Sequence, residues 1–322
     1  MTSDLGAVAD AFSLGRPLGA PDPLSGGGTA RRWRLRTDRG TWMVKTHRDP
    51  ALWEREQMRD AGALERAAYA AGVAMPRPLA PPAPSIGLWH AVGPGYARVC
   101  EWVDGVTPPA DPMPLATWLG ETMAAIDRLA LPADPATGVA YTLYPMADWH
   151  RWLDDAHAAC LLDRAATADL KAAVAEATAL VEAGLATGPA FRLGHRDANC
   201  RNFLLTDRGP VLIDFDSAGP EVPWWGAVYA AWDHGRPDIA TIGPTVLDAY
   251  AAHGGRLGPA DATAFAGAFR AVLDQFAFHL RLATGHPGDP ERLAASRRML
   301  PLFRHGVPEM LDLVDGWVRL LR

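Results

Sequence analysis

Apolar and polar positions follow two rhythms along this chain. From residue 24 to 46 they alternate with period two. Gly26-Gly27-Gly28 opens the stretch, WRLR alternates, Thr37-Asp38-Arg39-Gly40 marks a turn and TWMVK returns, which predicts a β-hairpin. In the returning strand Thr41, Met43 and Lys45 share one face, and Trp42 and Val44 the other, because successive side chains point to opposite sides. Residues 50–71 predict a helix ended by Gly72, with Pro76 and Pro78 beyond it. Two short strands are expected near 87–92 and 96–103, joined by Gly93-Pro94-Gly95.

Residues 105–114, GVTPPADPMP, have no periodicity, and this proline-rich run is where a domain boundary is expected. Past it the rhythm turns helical: Leu115, Trp118, Leu119, Thr122, Ile126 and Leu129 fit one helix face. Helices are predicted near 147–160 and 165–184. The segment 193–219 follows, then a mainly helical tail whose MLDLVDGWVRLL ending is amphipathic, as a packed final helix would be. The expected fold class is therefore α+β, with a small strand-rich part over 1–104 and a larger helical part over 105–322.

At 322 residues, 49% hydrophobic and 21% charged, the chain has the balance of a globular protein that buries a sizeable core without staples. The three cysteines, Cys100, Cys160 and Cys200, are scattered and form no CxxC, which points away from a disulfide framework or thiolate zinc site and toward a cytoplasmic setting. Neither a signal peptide nor an apolar run of about 20 residues is evident, so no membrane partner is expected. A net charge of −6 disfavours nucleic acid. Residues 1–108 carry 13 Lys+Arg and 11 Asp+Glu, net +2, whereas 109–322 carry 18 and 26, net −8. The first part suits an anionic ligand. The second suits a cationic or polyhydroxyl one, or is simply a solvated acidic surface.

The chemistry concentrates in 193–219, LGHRDANCRNFLLTDRGPVLIDFDSAG. Asp197 and Asn202, five residues apart in an irregular loop, can converge on one point. An acid can accept a proton from a substrate hydroxyl, and an amide oxygen can bind a hard cation. Asp214, after the apolar VLI run, can supply a second oxygen ligand. Mg2+ favours this donor set, completed by waters and substrate phosphates.

His195-Arg196-Asp197, then Asn202, then Asp214-Phe215-Asp216 resemble the catalytic loop and metal-binding motif of the protein-kinase-like superfamily. The IDFDSAG ending and the absence of a long activation segment resemble the aminoglycoside phosphotransferase branch, over about residues 20–235. The resemblance implies a bilobal kinase-like fold with an antiparallel-sheet N-lobe and a helical C-lobe, and an enzyme that transfers the γ-phosphoryl group of ATP (or GTP) to an alcohol with Mg2+. It implies that Asp197 orients and deprotonates the acceptor hydroxyl, that Asn202 and Asp214 hold the metal, and that His195 braces the loop. Asp216 either touches a second metal or caps the following turn. Arg196 stands where that branch commonly has glycine, and a structural ion pair is the expected use.

On the nucleotide side the resemblance makes Ser25, Gly26, Gly27 and Gly28 a lid over the phosphates. It makes Lys45, the one lysine among residues 1–108, the phosphate-binding cation. Its usual glutamate partner would fall at Ala61; Glu65, one turn later, is the expected substitute, with Glu54 two turns earlier. The backbone of Glu101 and Val103 would meet the adenine. For the acceptor, Trp149, Trp152, Asp154 and Asp155, together with Trp224, Trp225 and Asp233, are pocket candidates, although tryptophans spaced i, i+3 also suit a core. The acceptor expected is a small molecule, an antibiotic first, with a metabolic alcohol or a non-catalytic nucleotide-binding role as rivals.

Overall fold

In a computed structural model, residues 5–24, 30–48, 50–108, 113–136, 143–236, 238–285 and 290–321 are described. The glycines of the expected lid, with Ser25, lie outside them.

The elements follow the hydrophobic rhythm. Strands β1 (Asp22–Leu24), β2 (Arg31–Thr37), β3 (Gly40–His47), β4 (Ser85–Ile86), β5 (Trp89–Val92) and β6 (Gly95–Glu101) form one sheet, with helices α1 (Leu5–Ala11) and α2 (Leu52–Ala70) among them in sequence. The sheet order is β1-β2-β3-β6-β5-β4, antiparallel throughout. The alternation in β3 sorts as expected: Trp42 and Val44 enter a core with Leu35, Ala97 and Val99, covered by Leu5, Val8, Ala9 and Phe12. That leaves Lys45 on the opposite face. Helix α1 was not anticipated, yet its buried residues and Phe12 recur at i, i+3, i+4 and i+7, the period of a buried helix face. Gly87, at φ +59°, turns between β4 and β5 where a Cβ would strike the Met58 carbonyl of α2, so only glycine lets helix and hairpin approach this closely.

The chain continues through α3 (Met113–Arg128), α4 (Met146–Ala158), α5 (Arg164–Ala186), β7 (Arg192–Gly194), β8 (Phe203–Thr206), β9 (Gly209–Leu212), β10 (Gly219–Glu221), α6 (Pro223–Gly235), α7 (Ile239–Ala252), α8 (Ala266–Ala283) and α9 (Pro290–Leu320). Two compact units result. One comprises 1–138, 191–221 and 248–255; the other comprises 139–190, 222–247 and 256–322. The first thus holds both the sheet and the segment 193–219, and the boundary expected at residue 105 falls inside it.

Within the first unit, β7 pairs with β10, and β8 with β9. The buried Asp127 at the end of α3 receives Arg192 and the Tyr250 hydroxyl, and Trp118 meets Phe203 edge to face at 5.1 Å. These contacts anchor both ends of the loop between β7 and β8. Within the second unit, α4, α5, α8 and α9 pack on one another. Among the described residues no helix is long and apolar enough to cross a membrane.

Candidate active site

The loop from β7 to β8 is built around His195, which is fully buried. Its Nε2 lies 3.2 Å from the Ile213 carbonyl, and its Nδ1 lies 3.3 Å from the Asp197 amide. One tautomer satisfies both bonds: Nε2–H donates to Ile213 and Nδ1 accepts from Asp197. Burial pushes the imidazole down to about 4, so it is neutral and its two nitrogens are engaged in holding the loop to the strand end before Asp214. The ring also meets Phe215 edge to face at 4.6 Å.

Asp197 emerges from this brace with its carboxylate fixed by two amides. Asn199 donates to Oδ1 at 2.5 Å, and Asn202 donates to Oδ2 at 2.7 Å and to the Asp197 carbonyl at 2.8 Å. Because its Nδ2 serves Asp197, the Asn202 side chain has its carbonyl oxygen as the atom able to ligate a cation. Arg196, just before, has φ +64°. The left-handed turn is the physical reason a glycine suits this position. Its guanidinium reaches Gly219, where a Cβ would collide with it, and its charge acts on Asp60 of α2.

Asp214 also has positive φ, +65°, a conformation that aspartate tolerates better than most residues. It starts the turn that presents Asp214 and Asp216. Lys45 reaches both, 2.7 Å from Asp214 Oδ1 and 2.6 Å from Asp216 Oδ2. Burial would pull its ammonium down, but Asp216 and Asp214 outweigh that, and its pKa is raised. Burial likewise raises the Asp216 carboxyl, but Lys45 and Arg98 overcome it and hold it below the ordinary range.

Arg98 went unnoticed in the sequence. It lies directly across from Lys45, as Arg32 does on the other side, so three cations form a row on one sheet face. Such neighbours repel unless carboxylates answer them. Arg98 donates to Asp216 and, at 2.5 Å, to Glu65. Here the expectation for Glu65 is corrected: the ion pair it makes is with Arg98. Lys45 is already held by the two aspartates. Burial pushes the Glu65 carboxyl up against the pull of Arg98. Glu54 also turns elsewhere, to His47 at 3.3 Å and the Ala51 amide at 2.6 Å.

Lys45, Arg32, Asp197, Asp214, Asp216 and Ala61 line one cavity of about 340 Å³. Asn202, Asp214 and Asp216 offer hard oxygen donors that fit a small divalent cation. Among the described residues no group of three or more His, Cys, Asp and Glu side chains is placed to hold a metal ion by itself.

The remaining expected residues sort differently. Strand β6 ends at Glu101, whose side chain takes Arg77 at 2.6 Å; Val103 follows in irregular chain. Trp149 and Trp152 are buried on the α4 face with Leu153 and Ala156, and they meet each other edge to face at 5.6 Å. Trp224 is buried and donates to the Pro259 carbonyl at 3.1 Å. Buried Trp225 fills space left by Gly184 and Gly267. These rings are engaged in packing, which corrects the expectation that they stack on an acceptor. Asp154 pairs with Lys171 at 2.7 Å, Asp233 pairs with Arg236 at 3.2 Å, and Asp155 is exposed.

Among solved structures, the chain resembles spectinomycin phosphotransferase APH(9)-Ia in complex with ADP and spectinomycin. Identity is 12% and the TM-score 0.61, over 94% of this chain and 92% of that one. It also resembles a microcompartment-associated aminopropanol kinase, at 18% and 0.61 over 98% and 100%. A choline/ethanolamine kinase family protein from Mesorhizobium loti is similar at 19% and 0.58 over 100% and 99%. These likenesses establish a kinase-like fold, an N-terminal antiparallel sheet followed by a mainly helical part. No curated protein matches the sequence. The sequence itself matches the APH family, described as the phosphotransferase enzyme family, over residues 22–263; with that match added to the fold, the chain belongs to this family of small-molecule kinases.

Proposed function

We propose that the chain transfers the γ-phosphoryl group of ATP (or GTP) to a hydroxyl of a small, amine-bearing molecule, an antibiotic in the leading reading. The observation that carries this reading is the shared cavity: Asp197, Lys45, Asp214 and Asp216 line it together. Asp197, oriented by Asn199 and Asn202, takes the proton of the acceptor hydroxyl as its oxygen bonds to the γ-phosphorus. The bond from that phosphorus to the β–γ bridging oxygen breaks, and the nucleoside diphosphate leaves. Lys45 answers negative charge on the phosphates, which is the main task of a protein in phosphoryl transfer. Asn202, Asp214 and Asp216 would hold Mg2+, which when bound neutralises phosphate charge.

The net −8 of residues 109–322 supports a cationic acceptor. The similar solved structures include both an antibiotic phosphotransferase and kinases of amino alcohols, so a metabolic amino alcohol is the second reading. A nucleoside diphosphate-release screen with ATP and Mg2+, run over amine-bearing antibiotics and simple amino alcohols, tests both. Turnover of an antibiotic, lost in Asp197→Asn, supports the first; turnover of an amino alcohol alone supports the second. Nucleotide binding with transfer to no hydroxyl overturns both.

A further inference from the structure

Asp216 is held from two sides. Lys45 of β3 takes Oδ2 at 2.6 Å, and Arg98 of β6 takes Oδ1. The two cations are direct cross-strand partners, yet their surroundings differ. Lys45 faces the cavity, where a triphosphate would compete for it, whereas Arg98 is not among the cavity's lining residues. It is buried, and its other contact is the buried Glu65 of α2 at 2.5 Å. Glu65 in turn depends on Arg98, since its Oε2 is buried without a hydrogen-bond partner. The backbone carbonyl of Asp216 is tied to the same helix by Gln57 at 2.9 Å. The Asp216 side chain is thus linked to α2 through Arg98 and Glu65.

We propose that Arg98 is a positioning residue of the phosphoryl-transfer site: it anchors the Asp216 carboxylate to helix α2 through Glu65, so that Lys45 can exchange Asp216 for nucleotide phosphate without releasing that carboxylate. The assignment rests on the functional reading above. Its physical basis is charge. Once Lys45 turns to phosphate, Asp214 and Asp216 lose their shared cation, and an unanchored Asp216 would swing away from its neighbour. Arg98 keeps one oxygen fixed and leaves the other for a cation.

Arg98→Met tests this, but it strands a buried Glu65 charge and can cost the fold. The Glu65→Gln/Arg98→Met double variant removes both charges together and stands beside it. Calorimetry with ATP at stepped Mg2+ should show the Mg2+-dependent part of binding weakened by about 10–100-fold, the usual effect of removing a partner that orients a metal-binding side chain. Metal-free ATP binding, which relies on Lys45, should stay at the wild-type level. Arg98→Lys should restore part of the Mg2+ response. An unchanged Mg2+ response in a folded variant, or an equal loss with and without metal, overturns the assignment. If the wild type itself binds no nucleotide, the functional reading falls by itself. Hydrogen exchange of residues 214–218 then judges Arg98: faster exchange in the double variant supports the anchor, and equal exchange overturns it.

Discussion

Lys45 Nζ lies 2.7 Å from Asp214 Oδ1 across 169 residues of sequence. The lysine is placed by strand alternation, which turns it away from the Trp42–Val44 core. The aspartate is placed by a left-handed turn at the end of the strand that His195 braces. Both Asp214 and Asp216 accept from the ammonium, as phosphate oxygens would. Lys45→Met should therefore leave a folded protein, because Arg98 still holds Asp216, while kcat falls about 10²–10³-fold, as when one donor to a charged transition state is removed. Steady-state kinetics at saturating Mg2+ and ATP would measure it; wild-type turnover would remove Lys45 from the site.

Asp197→Asn keeps the shape of the side chain but leaves one oxygen to accept where Asn199 and Asn202 each donate, and it cannot take a proton. The variant should fold with only a modest drop in melting temperature from the one unanswered amide donor, and nucleotide affinity should match the wild type. Turnover should fall by about two to four powers of ten, the usual contribution of general-base catalysis. Full turnover would exclude Asp197 as the base.

Asp214→Ala deletes one of the two carboxylates that meet Lys45. Calorimetric titration should show Mg2+–nucleotide affinity reduced and metal-free nucleotide affinity little changed or improved, since Lys45 loses a competitor. Equal affinity with Mg2+ would reject a metal role for Asp214.

Much of this arrangement was legible in the chain because it is local. The loop from His195 to Asn202 and the turn at Asp214 lie within one short segment, and period-two alternation put Lys45 on the polar face of β3. The register of β3 on β6 is not local. Nothing in YARVCE indicated that Arg98 would stand opposite Lys45, and without that pairing Glu65 had only Lys45 to be matched with. Helix α1 was readable from its apolar spacing and was missed because the segment is short. The tryptophans misled for a related reason: an aromatic i, i+3 pair looks the same in a core as in a pocket until the neighbouring helices are known.

Trp149 is almost fully buried and packs on Trp152 at 5.6 Å and Phe276 at 5.5 Å. Trp149→Ala should cost about 3–5 kcal/mol of stability, the range for deleting a large buried ring. Trp149→Phe should cost less and leave the acceptor KM at its wild-type value. Urea unfolding and acceptor kinetics separate the cases: unchanged stability with a raised acceptor KM would return this ring to the substrate pocket.

His195 gives the fold a pH dependence of definite sign. In the folded chain burial lowers the imidazole to about 4, whereas an unfolded histidine titrates near its ordinary value of about 6.5. Between those values the unfolded chain binds a proton that the folded chain refuses. The stabilisation is therefore complete above about pH 6.5, shrinks as pH falls, and is lost by about pH 4, amounting in all to roughly 3 kcal/mol. Asp216, also lowered by its surroundings, acts in the same direction at more acid pH, where an unfolded aspartate begins to protonate. His195→Gln supplies an amide donor for the Ile213 carbonyl but has nothing to titrate. Urea midpoints taken at about pH 8 and about pH 5 should drop markedly for the wild type and much less for the variant. Parallel drops would mean that His195 is not the group responsible and that the neutral brace assigned to it is wrong.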